Sequence, residues 1–223
     1  MPKTIRIDFV SDVVCPWCVI GLRTLKLALD KLEGEVTAEI HFQPFELNPG
    51  MPPEGQNTTE HVQEKYGSSE ERSAQVREII RMNGEALGFT FNYGPESRIW
   101  NTFDAHRLLH WAGLKGQGRQ LKLKEALFKA CFTEQLNMSD HQVLAETAAL
   151  VGLPKAEAAR VLAEGIYADE VRSEEARWRE MGIQAVPSVI FEQRWLVQGG
   201  QPPETFEQAI RQIVSGEAQA AEA

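Results

Sequence analysis

The chain has 223 residues, 43% apolar and 25% charged, which suits a globular protein large enough to bury its core without disulfide staples. Its formal net charge of -9 argues against sequence-independent binding to nucleic-acid backbones or anionic membranes, and no basic run makes a local exception. Three cysteines are too few for a stapled framework, and two of them stand three positions apart, as working thiols in a reducing compartment would.

Residues 1–20 carry charges at Lys3, Arg6, Asp8 and Asp12, so they read neither as a secretory signal nor as a spanning helix. A cytoplasmic chain is expected. Within this segment Ile5, Ile7 and Phe9 alternate with Arg6 and Asp8, a strand signal. Pro16 suits the first position of a helix, Leu22, Leu25, Leu29 and Leu32 recur at helical spacing, and Gly34 offers a stop. Val36, Ala38, Ile40 and Phe42 then alternate as a second strand. Strand–helix–strand predicts two parallel neighbours joined by a right-handed crossover.

Pro44, Pro49, Pro52 and Pro53 fall within ten residues, forbid a regular element and mark a boundary. Beyond them the pattern is helical for more than a hundred residues. Ser68 with Glu71 and Ser139 with Gln142 read as capping boxes. Helices are expected over the Val76–Leu87 stripe, from near Trp100, over 121–135, after Ser139, and over about 154–164 and 168–181. After Gly182 two strand runs, 186–191 and 195–198, flank a short polar turn and predict an antiparallel hairpin. A last helix is expected over about 203–214, and the tail 217–223 reads as frayed. The fold class is therefore α/β. A discontinuous domain of 1–50 and 182–216 is interrupted by an all-helical insertion, 51–181.

The chemistry points to Cys15-Pro16-Trp17-Cys18. A thiol at a helix N-terminus faces unpaired backbone N–H groups and the positive end of the helix dipole, which favour the thiolate nucleophile. Cys18, one turn further in, is placed to attack a mixed disulfide on Cys15. Pro16 holds the turn and Trp17 offers an apolar platform. A zinc half-site needs a second ligand pair, and neither Cys131 nor the five histidines form one at a turn. A buried, inert pair is the other reading. Pro187 after Val186 suits a strand start, where an ordinary trans proline is the default; the cysteine pair upstream favours a cis proline packed against it.

The residues SDVVCPWCVIG at 11–21, FQPFELNP at 42–49, NTFDAHRLLHWA at 101–112, AVPSVIF at 185–191 and VQGGQPPETF at 197–206 together resemble the DsbA family of thioredoxin-fold proteins, in its FrnE-like cytosolic branch. The resemblance covers nearly the whole chain. It implies a thioredoxin-like fold with a large helical insertion, and thiol–disulfide oxidoreductase or isomerase activity on protein or small-molecule thiols. It also implies roles for Cys15, Cys18 and Pro187, with the Val186 backbone free to pair with substrate. No metal or other cofactor is implied beyond the cysteine pair; glutathione enters as a co-substrate, and a reductant or oxidant must recycle the pair. The best-known DsbA oxidants carry histidine where this chain has Trp17, so a less oxidising centre is expected here. Similar glutathione-dependent isomerases and kappa-type transferases use a serine and lack the pair. A redox switch or client-binding module without turnover is the remaining alternative.

Other residues invite plainer readings. His106 and His110 share a helix face, but a metal would need a third ligand. Asn101 reads as a helix cap or a residue near the substrate cleft. Phe45 and Trp100 read as core or cleft lining. Cys131 lies on an apolar helix face and behaves as a small hydrophobe. Asp8 and Asp12 are the acidic candidates for exchanging a proton with Cys18.

Overall fold

The structure, a computed structural model, describes residues 2–116 and 118–216. Strand β1 (Lys3–Ser11), helix α1 (Pro16–Lys31) and strand β2 (Val36–Pro44) form the expected opening unit. The two strands pair in parallel over their full length, from Lys3 opposite Val36 to Ser11 opposite Pro44. Strands β5 (Ser188–Phe191) and β6 (Trp195–Gln198) complete one sheet in the order β2-β1-β5-β6. Strands β3 (Gln56–Asn57) and β4 (Arg98–Ile99), which lie between β2 and β5 in the chain, form a separate two-stranded ribbon. Both β1–β5 and β5–β6 are antiparallel. This is the mixed sheet of a thioredoxin-like fold.

The period of two sets one face of the sheet. Ile5, Ile7, Phe9, Phe42, Val189 and Phe191 are buried and belong to one core with Leu25 of α1 and Phe206 of the last helix, α9 (Pro203–Ser215). The Phe9 and Phe42 rings, directly opposite in the ladder, meet edge to face at 5.6 Å. The other face is covered as well. Val10, Phe45, Ile190 and Ile183 pack with Trp178, which is 1% exposed. Truncating so buried a tryptophan costs about 3–5 kcal/mol. Burial on both faces is why Asp8, expected simply to face away from the core, is enclosed. It accepts from Arg6 Nε and Nη2 at 2.8 and 2.7 Å and from Gln43 Nε2 at 2.7 Å.

Between β2 and β5 the chain runs through β3 (Gln56–Asn57), α2 (Thr58–Tyr66), α3 (Glu70–Ala86), β4 (Arg98–Ile99), α4 (Phe103–Leu114), α5 (Arg119–Phe132), α6 (His141–Leu150), α7 (Lys155–Ala163) and α8 (Ala168–Glu180). The β3–β4 ribbon and α2 have no counterpart in the sequence reading; α2 is announced by Asn57, whose side chain accepts from the Thr59 and Glu60 amides. Both expected capping boxes sit one residue early. Ser69, not Ser68, accepts from the Arg72 amide, and Asp140, not Ser139, accepts from Gln142 and Val143. Adjacent polar residues compete for each cap, and the second of each pair wins. The 121–135 helix begins and ends earlier, as α5, and the 186–191 strand begins only at Ser188. The tail 217–223 lies outside the described residues.

Two contacts fasten this helical region. The Gln120 side chain of α5 accepts from the Phe42 N–H at 2.9 Å and donates to its carbonyl at 3.0 Å, so an amide group satisfies the edge of β2. Buried Arg107 of α4 donates to the carbonyls of Val161, Leu162 and Ile166 at the end of α7. Among the described residues no helix is long and apolar enough to cross a membrane.

Candidate active site

The loop from Asp12 to Cys15 turns the end of β1 into α1. Cys15 is the extended N-cap residue and Pro16 the first helical position, so no amide hydrogen is lost. The Cys15 side chain accepts no cap bond from its helix; its Sγ instead lies 3.7 Å from the Val186 carbonyl, 171 positions away. The Val186–Pro187 peptide is cis, as the sequence context suggested. Cys18 is fully buried one turn along, with its amide bonded to the Cys15 carbonyl at 3.0 Å. Burial, reinforced by neighbouring Cys15, holds the Cys18 thiol well above its ordinary range. All three cysteines are free thiols.

Cys15, Pro16, Trp17 and Val186 line one side of a cavity of about 640 Å³. Val14 joins them, and the rest of the wall comes from the region between β2 and β5, with Tyr66, Val76, Arg77 and Ile80 from α2 and α3 among it. That volume suits a small organic ligand or an extended side chain. The charge of the wall inverts that of the chain. Acidic residues outnumber basic ones 32 to 23 in the sequence, yet the wall holds Arg72, Arg77 and Arg98 and no carboxylate. Arg98 is tied to the Glu54 and Gly55 carbonyls. Arg72 and Arg77 have no acidic partner within ion-pair distance among the described residues. His61, also on the wall, is held at both ring nitrogens by Gln56 and Asn48, and burial followed by nearby Lys65 lowers its pKa.

Other sequence candidates lie elsewhere. Phe45 packs with Trp178 on the far face of the sheet. Trp100 lies beneath Arg98, and Asn101 accepts from the Phe103 amide and donates to the Met51 carbonyl, which is a capping role. None of these three is on the cavity wall. Cys131 is on it, with a thiol pushed upward by burial and by the charge of Asp12. His110 packs at a tilt beside Tyr167 with ring centroids 5.0 Å apart, and among the described residues no cluster of three or more His, Cys, Asp and Glu could hold a metal.

Asp12 is where the structure departs most from the sequence reading. It is fully buried; Oδ2 accepts from the Leu47 amide at 2.8 Å, and Oδ1 lies 3.4 Å from His106 Nε2. Burial alone would raise its pKa, but hydrogen bonding and charge from His106, the Leu47 amide and Lys124 outweigh it and hold the carboxyl below its ordinary value. Lys124 of α5 was missed altogether. Its side chain is fully buried, and burial lowers its pKa to about 8 against the pull of Cys18, Asp12 and Cys15.

A family model described as DSBA-like thioredoxin domain matches residues 6–211. The chain belongs to that family. A solved structure described as a "probable DsbA oxidoreductase" from Streptomyces coelicolor is 31% identical with a TM-score of 0.88, covering 98% of this chain and 93% of that one. Protein YwbO of Bacillus subtilis, itself uncharacterized, is 27% identical over 93% of this chain and 96% of its own. The cytosolic disulfide reductase DsbM of Pseudomonas aeruginosa, solved with GSH, shares the fold at 16% identity and a TM-score of 0.63, over 94% of this chain and 99% of that one. In DSBA-like terms, the chain sets a CPWC helix start and a cis proline against a cavity walled by its helical region.

Proposed function

We propose that the chain is a thiol–disulfide oxidoreductase in which Cys15 attacks and Cys18 resolves. The observation that carries this reading is the placement of Cys15 Sγ at a helix N-terminus, on a cavity wall and 3.7 Å from the Val186 carbonyl, with Cys18 buried one turn behind it. The Cys15 thiolate attacks a substrate disulfide and expels one thiolate. Cys18 then loses its proton and attacks the Cys15 sulfur, so the second thiolate leaves and the pair is oxidised. Two electrons pass to the substrate, and a thiol reductant restores the pair; the same steps reversed oxidise a dithiol. Pro16 and Trp17 shape the nucleophile's side of the cavity, and the Val186 backbone aligns the substrate. On this reading the sheet with α1 carries the reactive pair, while α2, α3, the end of α5 and the loops beside them supply the facing wall of the cavity.

A small anionic thiol, glutathione or a relative, is the second reading. The arginine-lined wall without carboxylates favours it, and the similarly folded DsbM was solved with GSH. DsbM is described as cytosolic, and a cytoplasmic location for this chain agrees with a thiol of that kind as recycling partner.

The test compares disulfide exchange by the intact protein, Cys15→Ser and Cys18→Ser, using a reduced unfolded protein and, separately, glutathione. Turnover is expected to vanish in Cys15→Ser, and Cys18→Ser is expected to trap a mixed disulfide. Background rates in all three proteins would refute the reading. Turnover with glutathione that survives loss of Cys18 would favour the glutathione-dependent alternative.

A further inference from the structure

Two carboxyl groups meet one guanidinium where the loop after β2 rests on α8. Glu46 and Glu175, 1% and 4% exposed, both accept through Oε2 from the same nitrogen, Arg172 Nη1, the second at 2.8 Å. A shared donor atom holds the two carboxyls side by side. The other oxygen of each, Glu46 Oε1 and Glu175 Oε1, is buried and has no hydrogen-bond donor among the described residues. Arg172 lies over the Phe103 ring at 3.7 Å, which confines it to this position. Other charged neighbours are already paired, Glu174 with Arg177, and Asp104 with Arg107 and His141. Arg179 of α8 and His106 of α4 also act on the two carboxyls.

Fully ionised, this cluster would bury more negative than positive charge and leave two acceptors without donors, a costly arrangement. Like charges this close resist ionising together, and a protonated carboxyl gains an O–H that can donate to its neighbour. Burial raises both carboxyls above their ordinary range, and the charge of Glu175 raises Glu46 further, although Arg172 pulls against both.

The loop held here reaches the thiol site. Arg179 Nη2 donates to the Glu46 carbonyl at 3.3 Å, and its guanidinium lies 5.2 Å from the centre of the Phe45 ring. The next residue, Leu47, donates its amide to Asp12 Oδ2 at 2.8 Å, and the Asp12 carbonyl accepts from the Cys15 amide at 3.3 Å. Leu47 and Asn48 are on the cavity wall. Helix α8 therefore grips the segment that joins that wall to the turn carrying the nucleophile.

We propose that Glu46 and Glu175 hold one proton between their Oε1 atoms, and that this shared proton seats the loop carrying Leu47 and Asn48 against α8. One carboxyl carries the hydrogen and donates it; the other stays ionised and pairs with Arg172, so the three groups together are neutral. The proton enters from solvent as the chain folds and leaves as pH rises. Its place in the cluster is independent of the thiol chemistry, whereas its effect on exchange rests on the function proposed above.

The infrared spectrum of the unaltered protein in D₂O, at a pD of about 7, tests the proton directly. Exposed carboxyls have ionised by then, so a protonated-carboxyl C=O stretch is expected to remain, and to vanish in both Glu175→Gln and Glu46→Gln. Absence of that band from the unaltered protein, a result that depends on no variant folding, would overturn the proposal. Survival of the band in both variants would do the same.

Stability gives a second readout. A carboxyl that holds its proton more tightly in the fold than in the unfolded chain makes stability fall as pH rises above about 4.5. Glutamine keeps the shape of the protonated form and does not titrate. In paired urea titrations Glu175→Gln should therefore gain on the parent roughly tenfold or more in the folding equilibrium between about pH 5 and about pH 8. A difference that stays flat, or moves against the variant, would count against a shared proton.

Disulfide exchange at about pH 7 should slow several-fold in Glu175→Ala, which cannot hold the proton, and recover in Glu175→Gln. Parental exchange in Glu175→Ala would refute the seating role. Absence of exchange from the unaltered protein would instead sink the underlying reading of Cys15 and leave the infrared result standing.

Discussion

Gly21 and Pro187 approach so closely that a Cβ on Gly21 would lie 3.0 Å from Pro187 Cγ and 3.4 Å from Gly200 Cα. Helix α1 is thereby seated against both the proline beside Cys15 and the loop that follows β6. Gly200 reciprocates, since a Cβ there would meet the Trp17 carbonyl at 3.2 Å. The contact is backbone and ring against backbone, with no flexible side chain to yield. Gly21→Val should lose about 2 kcal/mol or more by overpacking and slow exchange by shifting Val186 relative to Cys15. Gly113→Ala is the control, because its Cβ meets only the end of the Gln120 side chain, at 3.3 Å. Urea denaturation of the two variants, with exchange rates on each, makes the comparison; equal stability would show that the Gly21 contact is slack.

How much of this was legible in the sequence follows from the range of each interaction. β1, α1 and β2 are written in short-range alternation and helical spacing, and Pro16 marks its helix start by local sterics. The proline beside Val186 needed the cysteine pair 170 positions away as context. Lys124 could not be read at all: in the α5 sequence it resembles Lys122, which lies outside the core, and only packing beneath Phe42 separates the two. Asp12 looked like turn chemistry because His106, which encloses it, arrives from a helix more than ninety residues later. The cavity wall was hidden for the same reason, since α2 carried only the weak signal of an Asn cap.

Trp17 stands beside the nucleophile at the mouth of the cavity, 36% exposed. Replacing it with histidine puts an ionisable, hydrogen-bonding ring where the chain has an apolar one. Protonated, that ring stabilises the dithiol form's thiolate and makes the pair a stronger oxidant. Trp17→His should raise the reduction potential by about 30 mV or more, a tenfold change in the exchange equilibrium for two electrons. Equilibration against a glutathione redox buffer measures it, and an unchanged or lower potential would dismiss the role given to Trp17.

Arg77 bears on substrate charge. It lines the cavity, and among the described residues its side chain hydrogen-bonds only the Thr59 hydroxyl, at 3.4 Å. A carboxylate on a substrate seated at Cys15 would find this guanidinium free of acidic competition. Arg77→Gln should raise KM for glutathione disulfide roughly fivefold, in keeping with a partly solvated charge-assisted contact. It should leave kcat/KM for uncharged bis(2-hydroxyethyl) disulfide unchanged. Equal losses on both substrates would mean that Arg77 shapes the wall without selecting charge.

The buried Lys124 side chain makes a prediction about stability. Burial lowers its pKa from 10.5 in an unperturbed lysine to about 8 in the fold. Between those values the unfolded chain binds more protons than the folded one, so this residue makes stability rise with pH across that window. Below about pH 8 the folded state bears the full penalty, on the order of 3 kcal/mol for the difference between the two values. Methionine fills similar volume without the charge, and Asp12 keeps both the Leu47 amide and His106 as partners. Lys124→Met should therefore be more stable than the parent at pH 7, with the advantage shrinking steadily as pH climbs from 8 towards 10.5. Paired urea titrations at several pH values measure that difference directly and cancel the titration of groups common to both proteins. An advantage that stayed constant with pH would mean that the folded and unfolded chains bind this proton alike, so that burial does not lower the amine's pKa, and a loss of stability would mean its ammonium is better satisfied than its surroundings indicate.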